Sequence, residues 1–536
     1  MTGAPDPRRP PYWLVPVFAA LMLAPPAWAA ATLIAAAIAL TTLGEARRRR
    51  ARRARSAALG APTGRGAAAV ALGRDPRGRA VVLTDDQLSA HALIVGASGA
   101  GKTTTLVTIL ADHIRRGRPV IAIDLKGSPA FGRELALAAA GAGRPVRLWT
   151  PDGPSHWNPL RHGNPTELKD KLIGTERFTE PHYQRAAERY LQTVLQILEH
   201  VHAGDEPTFD EVVALMDPQR LAGRLRKLPR PLAERVTDYV TSLTPDQISG
   251  IRGFGTRLAV LSESHTGRFL MPPASGPEAI DLPRALGGRE VVLFSLNAST
   301  YGKLSAQIGA LVIQDLVAAA GRRLHEAPGG GSRQLAIVAI DEFSALGGDH
   351  VAALFARARE SRLSVVLVTQ ELADLERAGA GLRDLVLGNT AVKLAHRQDV
   401  PASAQMIAQV AGTEDVWERS YHEHRWGPGT SRTTRRQVER FIVHPNEIKT
   451  LATGEAILIT KAPVTCVQRV SVAAVATGPM SAGAVAGAVA QPPTSRWQDA
   501  SRVPPRWGGE RVAGPRRAPA TGITSPIGPE REGLDR

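Results

Sequence analysis

The segment GASGAGKT, at residues 96–103, has the residue types and the spacing of a phosphate-binding loop. Its glycines let the backbone curl so that successive N–H groups point at phosphate oxygens, and the positive end of the following helix dipole assists them. Lys102 is expected to place a charge on the β and γ phosphates, and the Thr103 hydroxyl to coordinate Mg²⁺. An apolar strand-like run precedes the motif and an apolar helix-like run follows it, as such a loop requires. The residues predicted to hold ATP and Mg²⁺ are Gly96, Ser98, Gly99, Gly101, Lys102, Thr103 and Thr104.

A second polar group ends the apolar run LAIVAIDEF at residues 335–343. Asp341 and Glu342 stand at the tip of this predicted strand, where phosphate-loop ATPases carry their Mg²⁺-side carboxylate. Asp341 is expected to act as the metal-side carboxylate by accepting a hydrogen bond from a Mg²⁺-bound water. Glu342 is expected to polarise the attacking water as a general base. With a phosphate loop upstream, the pair indicates ATP hydrolysis.

Two further residues are predicted to act on the γ phosphate. Gln370 closes the next apolar run, VVLVTQ, where its amide can sense the γ phosphate or position water. Arg359, on a predicted helix eleven residues earlier, is a candidate arginine finger that acts in trans at a subunit edge. Arg357 and Arg362 are its neighbours, so the sequence leaves open which arginine has this role.

Apolar runs of strand length alternate with helical patterns around these motifs, which predicts an α/β fold with a parallel, helix-covered sheet. Predicted strands include Val120–Ile123 and Val291–Leu296, and an amphipathic helix is predicted at Ala306–Leu324. Along the chain, the first of these strands lies between the loop strand and the carboxylate strand. A strand between those two, with Glu342 directly after Asp341, indicates the RecA-like class of phosphate-loop ATPases, which normally works as a ring.

The pattern changes between residues 166 and 270, where apolar residues recur at helical spacing. We expect an all-α insertion domain there, between the two parts of a RecA-like domain at residues 56–165 and 271–475. Residues 476–536 are rich in Pro, Gly, Ala and Arg without an apolar period, so they are predicted to be a disordered tail.

Residues 13–43 carry no charge and precede a dense arginine cluster, so residues 1–55 are predicted to be a membrane anchor with a basic cytoplasmic flank. Pro25 and Pro26 split the apolar run, which leaves open a helical hairpin or one span from Ala27 to Leu43. Either form keeps the arginines and the chain after them in the cytosol, at the inner (plasma) membrane. A cleaved signal peptide is the rival interpretation, but arginine-dense sequence after the cleavage site would resist export.

The composition limits the kinds of partner. The chain of 536 residues has a formal net charge of +16, which indicates a polyanion, either nucleic acid or an acidic membrane surface. The single cysteine, Cys466, excludes an internal disulfide framework and a multi-cysteine zinc site. The arginines of the tail can track phosphates nonspecifically or simply be solvated.

Taken together, the motifs resemble those of the type IV coupling proteins, the conjugative DNA-transfer ATPases of the TraG/TraD kind. The resemblance covers roughly residues 90–465 and rests on GASGAGKTTT, IDLKG, HWNPL, IDEFSAL, ARARESRLSVVLVTQELADL and LGNTAVKLAH. It implies a membrane-anchored homo-hexamer whose RecA-like domains surround a channel, with the all-α domain capping the cytoplasmic mouth and recruiting substrate.

The resemblance also implies residue roles and partners. The nucleotide motifs of the family match at Lys102, Thr103, Asp341, Glu342 and Gln370. Arg359 falls where the finger arginine of the family falls, and Arg362 stands where the family usually has Gly. The implied partners are DNA, single-stranded in the leading interpretation, relaxase or relaxosome proteins, and a type IV secretion channel.

The leading interpretation is an ATPase that couples relaxase-bound DNA to a transfer channel and helps to pump it. One alternative is a duplex DNA translocase of the FtsK or HerA kind, against which the large all-α insertion argues. The other is a receptor that binds ATP to assemble a ring but scarcely turns it over, against which Glu342 and Gln370 argue. Both alternatives stay open at this point.

Overall fold

The structure is a computed structural model and describes residues 69–176, 178–202, 206–273, 279–325, 334–346, 348–421 and 433–474. The predicted membrane anchor at residues 1–55 and the predicted tail at 476–536 lie outside these residues. Within the described residues, one helix, Lys303–His325, is long and apolar enough to cross a membrane, and 67% of its apolar window is buried in the protein. This helix includes the predicted amphipathic helix.

Strands and helices alternate along the described chain. The strands are β1 (Ala69–Arg74), β2 (Ala80–Thr84), β3 (Ala92–Val95), β4 (Val120–Asp124), β5 (Val146–Trp149), β6 (Val291–Ser295), β7 (Ala336–Asp341), β8 (Leu363–Thr369), β9 (Val392–Ala395), β10 (Thr413–Tyr421), β11 (Thr433–Phe441), β12 (Glu455–Thr460) and β13 (Cys466–Val472). The helices between these strands are Asp85–Ser89, Lys102–Arg115, Pro129–Gly141, Leu282–Gly287, Ala298–Tyr301, Lys303–His325, Gly348–Ala358, Leu372–Ala378, Leu382–Asn389, Pro401–Ala411 and Pro445–Lys449, with a 3-10 turn at Phe343–Leu346.

One large sheet organises the fold, in the order β2-β1-β13-β12-β9-β3-β8-β7-β4-β6-β5. Neighbouring strands from β9 to β5 are parallel, and those from β9 outward to β2 are antiparallel. The prediction of a parallel, helix-covered sheet is therefore confirmed for the part that carries the motifs. The antiparallel side was not predicted as part of the same sheet.

The strand between the loop strand and the carboxylate strand in the sheet is not the strand predicted between them along the chain. The strand that lies between the loop strand β3 and the carboxylate strand β7 is β8, whereas β4 lies on the far side of β7. The chain crosses over β7 and β8 before it enters β4, and a crossover of this kind leaves no mark in the sequence of the strand. A strand does separate β3 from β7, so the RecA-like arrangement stands.

Between β5 and β6 the described chain from residue 165 to 269 contains only helices and turns. The helices are Pro165–Ile173, Pro181–His202, Phe209–Leu215, Pro218–Arg224, Arg230–Thr241 and Pro245–Ser262, with 3-10 turns at Leu225–Lys227 and Gly267–Phe269. Local sequence sets their starts: Asn164, Thr208 and Thr244 each form a capping box that satisfies the first backbone N–H groups. The boundaries of a separate all-α domain here stay a prediction.

The central strands are buried on both faces, which explains their nearly continuous apolar sequences. On one face, the core runs from Trp149 and Phe294 into the helical segment, where Tyr190 and Phe254 are buried. On the other face, helices Lys102–Arg115 and Pro129–Gly141 pack against alternate strand residues. The sheet therefore holds the phosphate-loop helix on the face opposite to the helical segment.

Asp281 fixes the point where the helical segment leaves and rejoins the sheet. Its carboxylate accepts hydrogen bonds from the His162 ring, at 3.0 Å from Nε2, and from the Arg284 N–H, also at 3.0 Å. Burial by itself would raise the pKa of Asp281, but these hydrogen bonds and the nearby Arg161 charge lower it to about 2. The ionised carboxylate therefore stabilises the fold.

Changing Asp281 to Asn is expected to lower the free energy of unfolding by about 1–2 kcal/mol at pH 7. Because the pKa is depressed in the folded state, this stabilisation is present above pH 4 and is lost as the pH falls toward 2. Urea unfolding at pH 7 and pH 3 measures the difference, with the exposed Asp384→Asn as a matched control that should change little. An equal loss at both pH values would contradict the role given to the carboxylate charge.

Candidate nucleotide site

The phosphate loop follows β3 at the carboxyl edge of the sheet. Gly99 and Gly101 have φ of 73° and 110°, in the left-handed region that glycine enters without strain, and helix Lys102–Arg115 begins directly after them. Ser98 and Thr103 are exposed at this edge, so both hydroxyls are open to a ligand. Thr104 is half-buried, and its carbonyl accepts a hydrogen bond from the Thr108 hydroxyl on the next turn of the helix.

Lys102 reaches back over the loop. Its Nζ donates to the carbonyl oxygens of Gly96, at 2.6 Å, and Ala97, at 3.1 Å. Burial lowers the pKa of Lys102, while the negative charges of Glu342 and Asp341 oppose that effect. The lysine and the two predicted carboxylates are therefore brought together at one edge of the sheet.

Asp341, the last residue of β7, is almost fully buried, with 7% of its surface exposed. Burial raises its pKa to about 6, and the carboxylates of Asp124 and Glu342 add to the effect. A buried carboxylate beside other carboxylates favours a bound cation, which would restore its ionised form. The donor set of Asp341 and the exposed Thr103 hydroxyl fits Mg²⁺, which prefers oxygen ligands and takes few of them from protein.

Glu342 is the next residue and has φ of 57°, a left-handed conformation that is unusual for glutamate. This turn directs the chain away from the strand, and the Glu342 N–H donates to the Asp341 carboxylate at 3.0 Å. Gln370, directly after β8, donates from Nε2 to Glu342 Oε1 at 2.7 Å. The carboxylate predicted as general base is thus held by the amide predicted to position water.

Arg359 is the one predicted site residue that lies elsewhere. The helix predicted to carry it ends at Ala358, and Arg359 is exposed at the start of a turn that leads into the amino end of β8. Gln370 follows the other end of that strand, whose seven residues span about 20 Å. Arg359 therefore cannot reach the phosphate loop of its own chain.

The turn after Arg359 contains Arg362, whose backbone conformation is unusual for arginine. Arg362 has φ of 54°, a left-handed conformation that glycine adopts without strain. This is the position where the resembled family usually has Gly. Arg362 therefore holds a backbone conformation that glycine would adopt more easily.

His396, at the end of β9, supports the phosphate loop and was not predicted. Its Nδ1 lies 2.8 Å from the Glu455 carbonyl oxygen, so Nδ1 carries the proton and Nε2 accepts from the Thr105 hydroxyl at 2.9 Å. Burial lowers the pKa of His396 to about 4, which keeps the ring neutral at physiological pH. A Cβ on Gly96 would lie 2.5 Å from the His396 Cβ, so the ring side of the loop is closely packed.

The turn before β12 holds the other side of the loop. The Gly454 N–H donates to the Ala100 carbonyl at 3.0 Å, and a Cβ on Gly101 would lie 3.0 Å from the Gly454 Cα. The Ala97 N–H donates to the Arg397 carbonyl at 2.8 Å. Segments some 300 residues later in the chain therefore fix the curvature of the loop.

Asp124, at the end of β4, is a third carboxylate at this edge and was also not predicted. It is the register partner of Asp341 on the neighbouring strand β7. Asp124 accepts from the N–H groups of Gly127, at 3.0 Å, and Ser128, at 2.5 Å, which closes the turn Asp-Leu-Lys-Gly. Lys126 is exposed on this turn, and its charge adds to the effect of burial in lowering the pKa of Lys102. The turn brings a second cationic side chain to the nucleotide edge.

Changing Gly96 to Ala is expected to lower the free energy of unfolding by about 1–3 kcal/mol, because the new Cβ overlaps the buried His396 side chain. ATP affinity is expected to fall as well, since the loop must shift. Urea unfolding and nucleotide titration measure the two effects. Gly141→Ala is the matched control: a Cβ there meets no heavy atom within 4 Å, so neither quantity should fall. An unchanged ATP affinity in the Gly96 variant would contradict the packing role.

Comparisons with known proteins identify similar folds and a matching family model. The family model TraG-D_C, described as the TraM recognition site of TraD and TraG, matches residues 336–453. The solved structure of the bacterial conjugative coupling protein TrwBdeltaN70, in an unbound monoclinic form, is similar with a TM-score of 0.57 and 13% identity, covering 77% of this chain and 90% of that chain. Curated proteins give no sequence match.

Two nucleotide complexes of the plasmid coupling protein TrwB are similar to the same extent. The complex with ADP and Mg²⁺ has a TM-score of 0.55 and 15% identity, covering 75% of this chain and 89% of that chain. The complex with the non-hydrolysable ATP analogue ADPNP has a TM-score of 0.54 and 14% identity, covering 77% and 90%. At such identities the likeness shows a shared RecA-like fold. Together, the family match over residues 336–453 and this fold confirm the predicted resemblance to type IV coupling proteins of the TraG/TraD kind.

Proposed function

We propose that this chain is a membrane-anchored ATPase that couples relaxase-bound DNA to a type IV secretion or conjugation channel and drives its transfer by ATP hydrolysis. The observation that carries the proposal is the convergence of Lys102, Asp341, Glu342 and Gln370 at the carboxyl edge of one RecA-like sheet. The fold likeness to TrwB, a conjugative coupling protein, supports the biological setting.

The proposed chemistry is attack of water on the γ phosphorus of ATP, which breaks the bond to the β–γ bridging oxygen and releases ADP and phosphate. Glu342 takes the proton of the attacking water, and Gln370 holds the Glu342 carboxylate and orients that water. Lys102 and the loop N–H groups bind the β and γ phosphates. Mg²⁺, held by the Thr103 hydroxyl and by Asp341, directly or through its waters, would neutralise charge on the phosphate oxygens. Complexes of TrwB with ADP and Mg²⁺ and with an ATP analogue support this assignment.

We propose that the chain works as a homo-hexameric ring, and the position of Arg359 supports contact between neighbouring copies. This arginine lies at the edge of the sheet opposite to the phosphate loop, so any contact with a γ phosphate must be made in a neighbouring copy. A head-to-tail ring repeats such a contact at every interface. The ring is the arrangement in which all the proposed site residues act together.

The remaining parts of the proposal concern location and partners. We place residues 1–55 in the inner membrane, and the two parts of the RecA-like domain, 56–165 and 271–475, in the cytosol. Residues 166–270 would form the all-α domain that recruits substrate, and 476–536 a basic tail. The family description as a TraM recognition site supports relaxosome proteins as partners.

The test is ATP turnover by the full chain in detergent, without DNA and with single-stranded or duplex DNA. We expect DNA to stimulate turnover and Lys102→Ala to abolish it, because the lysine charge on the phosphates is lost. Lys227→Ala, an exposed lysine in the helical segment, is the matched control and should leave turnover unchanged.

Other outcomes favour the alternatives. Stimulation by duplex DNA alone would favour a translocase of the FtsK or HerA kind. Turnover that stays low and indifferent to DNA, in a chain shown to be folded and assembled, would overturn the pump and favour a nucleotide-gated receptor.

A further inference from the structure

Strands β10 and β11 form a hairpin that pairs with no other described strand. At its base, the Ile442 N–H donates to the Gly412 carbonyl and joins the two arms, and Phe441 packs on the core of the body. Farther out, the side chains whose exposure is described are exposed or half-exposed on both faces. A two-stranded hairpin is only marginally stable alone in water, so a bound partner would stabilise it.

The two faces of this hairpin differ in how their charges are arranged. On one face, residues of opposite charge lie across from each other, which stabilises a hairpin by itself. These cross-strand pairs are Glu414–Arg440 and Glu418–Arg436, on either side of Val416–Val438. This face needs no ligand to balance its charges.

The other face carries Trp417, which is 63% exposed and lies opposite Gln437. Its charged residues are paired like with like across the strands, an arrangement that destabilises a hairpin. These pairs are Asp415–Glu439 on the base side of the tryptophan and Arg419–Arg435 on the tip side. An exposed indole beside Arg435, which is exposed on the same face, is arranged for a ligand with a flat ring and a negative charge.

We propose that the Trp417 face of this hairpin binds single-stranded nucleic acid, with an unpaired base stacked on the indole and a backbone phosphate held by Arg435. The inference rests on the proposed DNA-transfer function and supplies a contact surface for it. Stacking on an aromatic side chain beside cationic groups is how proteins hold single strands without sequence preference. The acidic pair Asp415–Glu439 repels phosphate, so the strand is confined to the tip half of the face.

The Trp417 face of a second copy is the other occupant with matching charge. In a two-fold arrangement, the acidic pair Asp415–Glu439 of one copy would face Arg435 of the other. The size of the face argues against it. Nine residues on two strands give a face of about 30 Å by 10 Å, or about 300 Å². Stable protein interfaces bury about 800 Å² on each partner. A few nucleotides need much less surface.

The test is fluorescence anisotropy of a labelled oligo(dT) titrated with the full chain over a series of salt concentrations. Trp417→Ala is expected to weaken binding by about fivefold or more, and Trp417→Phe to retain most of it. Arg435→Ala is expected to weaken binding and to reduce the slope of log affinity against log salt by about 0.7. Arg436→Ala removes the same charge from the adjacent residue on the other face, and should change binding much less.

Unchanged ATP turnover in the absence of DNA shows that each variant is folded. The proposal is overturned if Trp417→Ala binds oligo(dT) as well as the unchanged chain does, or if Arg435→Ala and Arg436→Ala have equal effects. It is also overturned if Trp417→Ala lowers the mass of the assembly by light scattering, which would identify a second copy as the occupant. If the unchanged chain binds no single-stranded DNA in any nucleotide state, the proposed function itself fails.

Discussion

Changing Glu342 to Gln is expected to lower ATP turnover by roughly 10²–10⁴-fold while ATP affinity stays close to that of the unchanged chain. The amide keeps the size of the side chain, but it cannot take a proton from water. The hydrogen bond with Gln370 shows that the carboxylate is held at the site, and the left-handed backbone of Glu342 sets its direction. Steady-state turnover and titration with a non-hydrolysable ATP analogue measure the two quantities separately.

Glu134→Gln is the matched control for this change. Glu134 is exposed on helix Pro129–Gly141 and is not among the proposed site residues, so turnover should be unaffected. Turnover close to normal in the Glu342 variant would remove this residue from the chemical step. A loss of ATP affinity as large as the loss of turnover would indicate a binding role instead of a general base.

Arg359→Ala is expected to lower turnover by about 10³-fold or more, the range known for arginine fingers. Arg359 is about 20 Å from its own phosphate loop. An intact arginine on a neighbouring copy should therefore restore turnover at the loop of an Arg359→Ala chain. Mixing Arg359→Ala chains with Lys102→Ala chains gives interfaces in which one copy supplies the intact loop and the next supplies the arginine. In an equal mixture, about a quarter of the interfaces of a head-to-tail ring are complete. We therefore expect the mixture to regain activity that neither variant has alone.

Arg357→Ala decides between neighbouring arginines. Like Arg359→Ala, this change removes one positive charge, but from the last turn of helix Gly348–Ala358. It should leave ATP turnover nearly intact. A severe loss in this variant with none in Arg359→Ala would assign the finger to Arg357. A mixture of Arg359→Ala and Lys102→Ala chains that stays inactive, in rings shown to contain both, would contradict action in trans.

The residues that the sequence predicted are those marked by a local pattern. The phosphate loop, Asp341–Glu342 and Gln370 each follow an apolar run of strand length, so their element and their position at its end can be inferred from neighbouring residues alone. Parallel strands bring such ends to one edge, which is why the predicted residues converge.

The residues that the sequence did not predict act across long separations in the chain. His396 and Gly454 hold the phosphate loop through contacts with Thr105 and Ala100, and no pattern near residue 100 refers to them. Asp124 was not assigned a role, because its importance comes from lying opposite Asp341 in a neighbouring strand. Strand order in the sheet depends on crossovers that one sequence does not encode locally, so the sequence did not indicate that β8, and not β4, lies between β3 and β7.

The pairing of β1 with β13 affects when the chain can fold during its synthesis on the ribosome. The first described strand lies beside the last, and the turn at Gly454 that holds the phosphate loop comes shortly before it. A ribosome delivers these parts in order, so a nascent chain that has already made the GKT segment has not yet made the residues that shape it. Contacts between residues so far apart in sequence also form slowly. The newly synthesised protein is therefore expected to gain ATP binding only near the end of translation, and to depend until then on chaperones that cover its open strand edges.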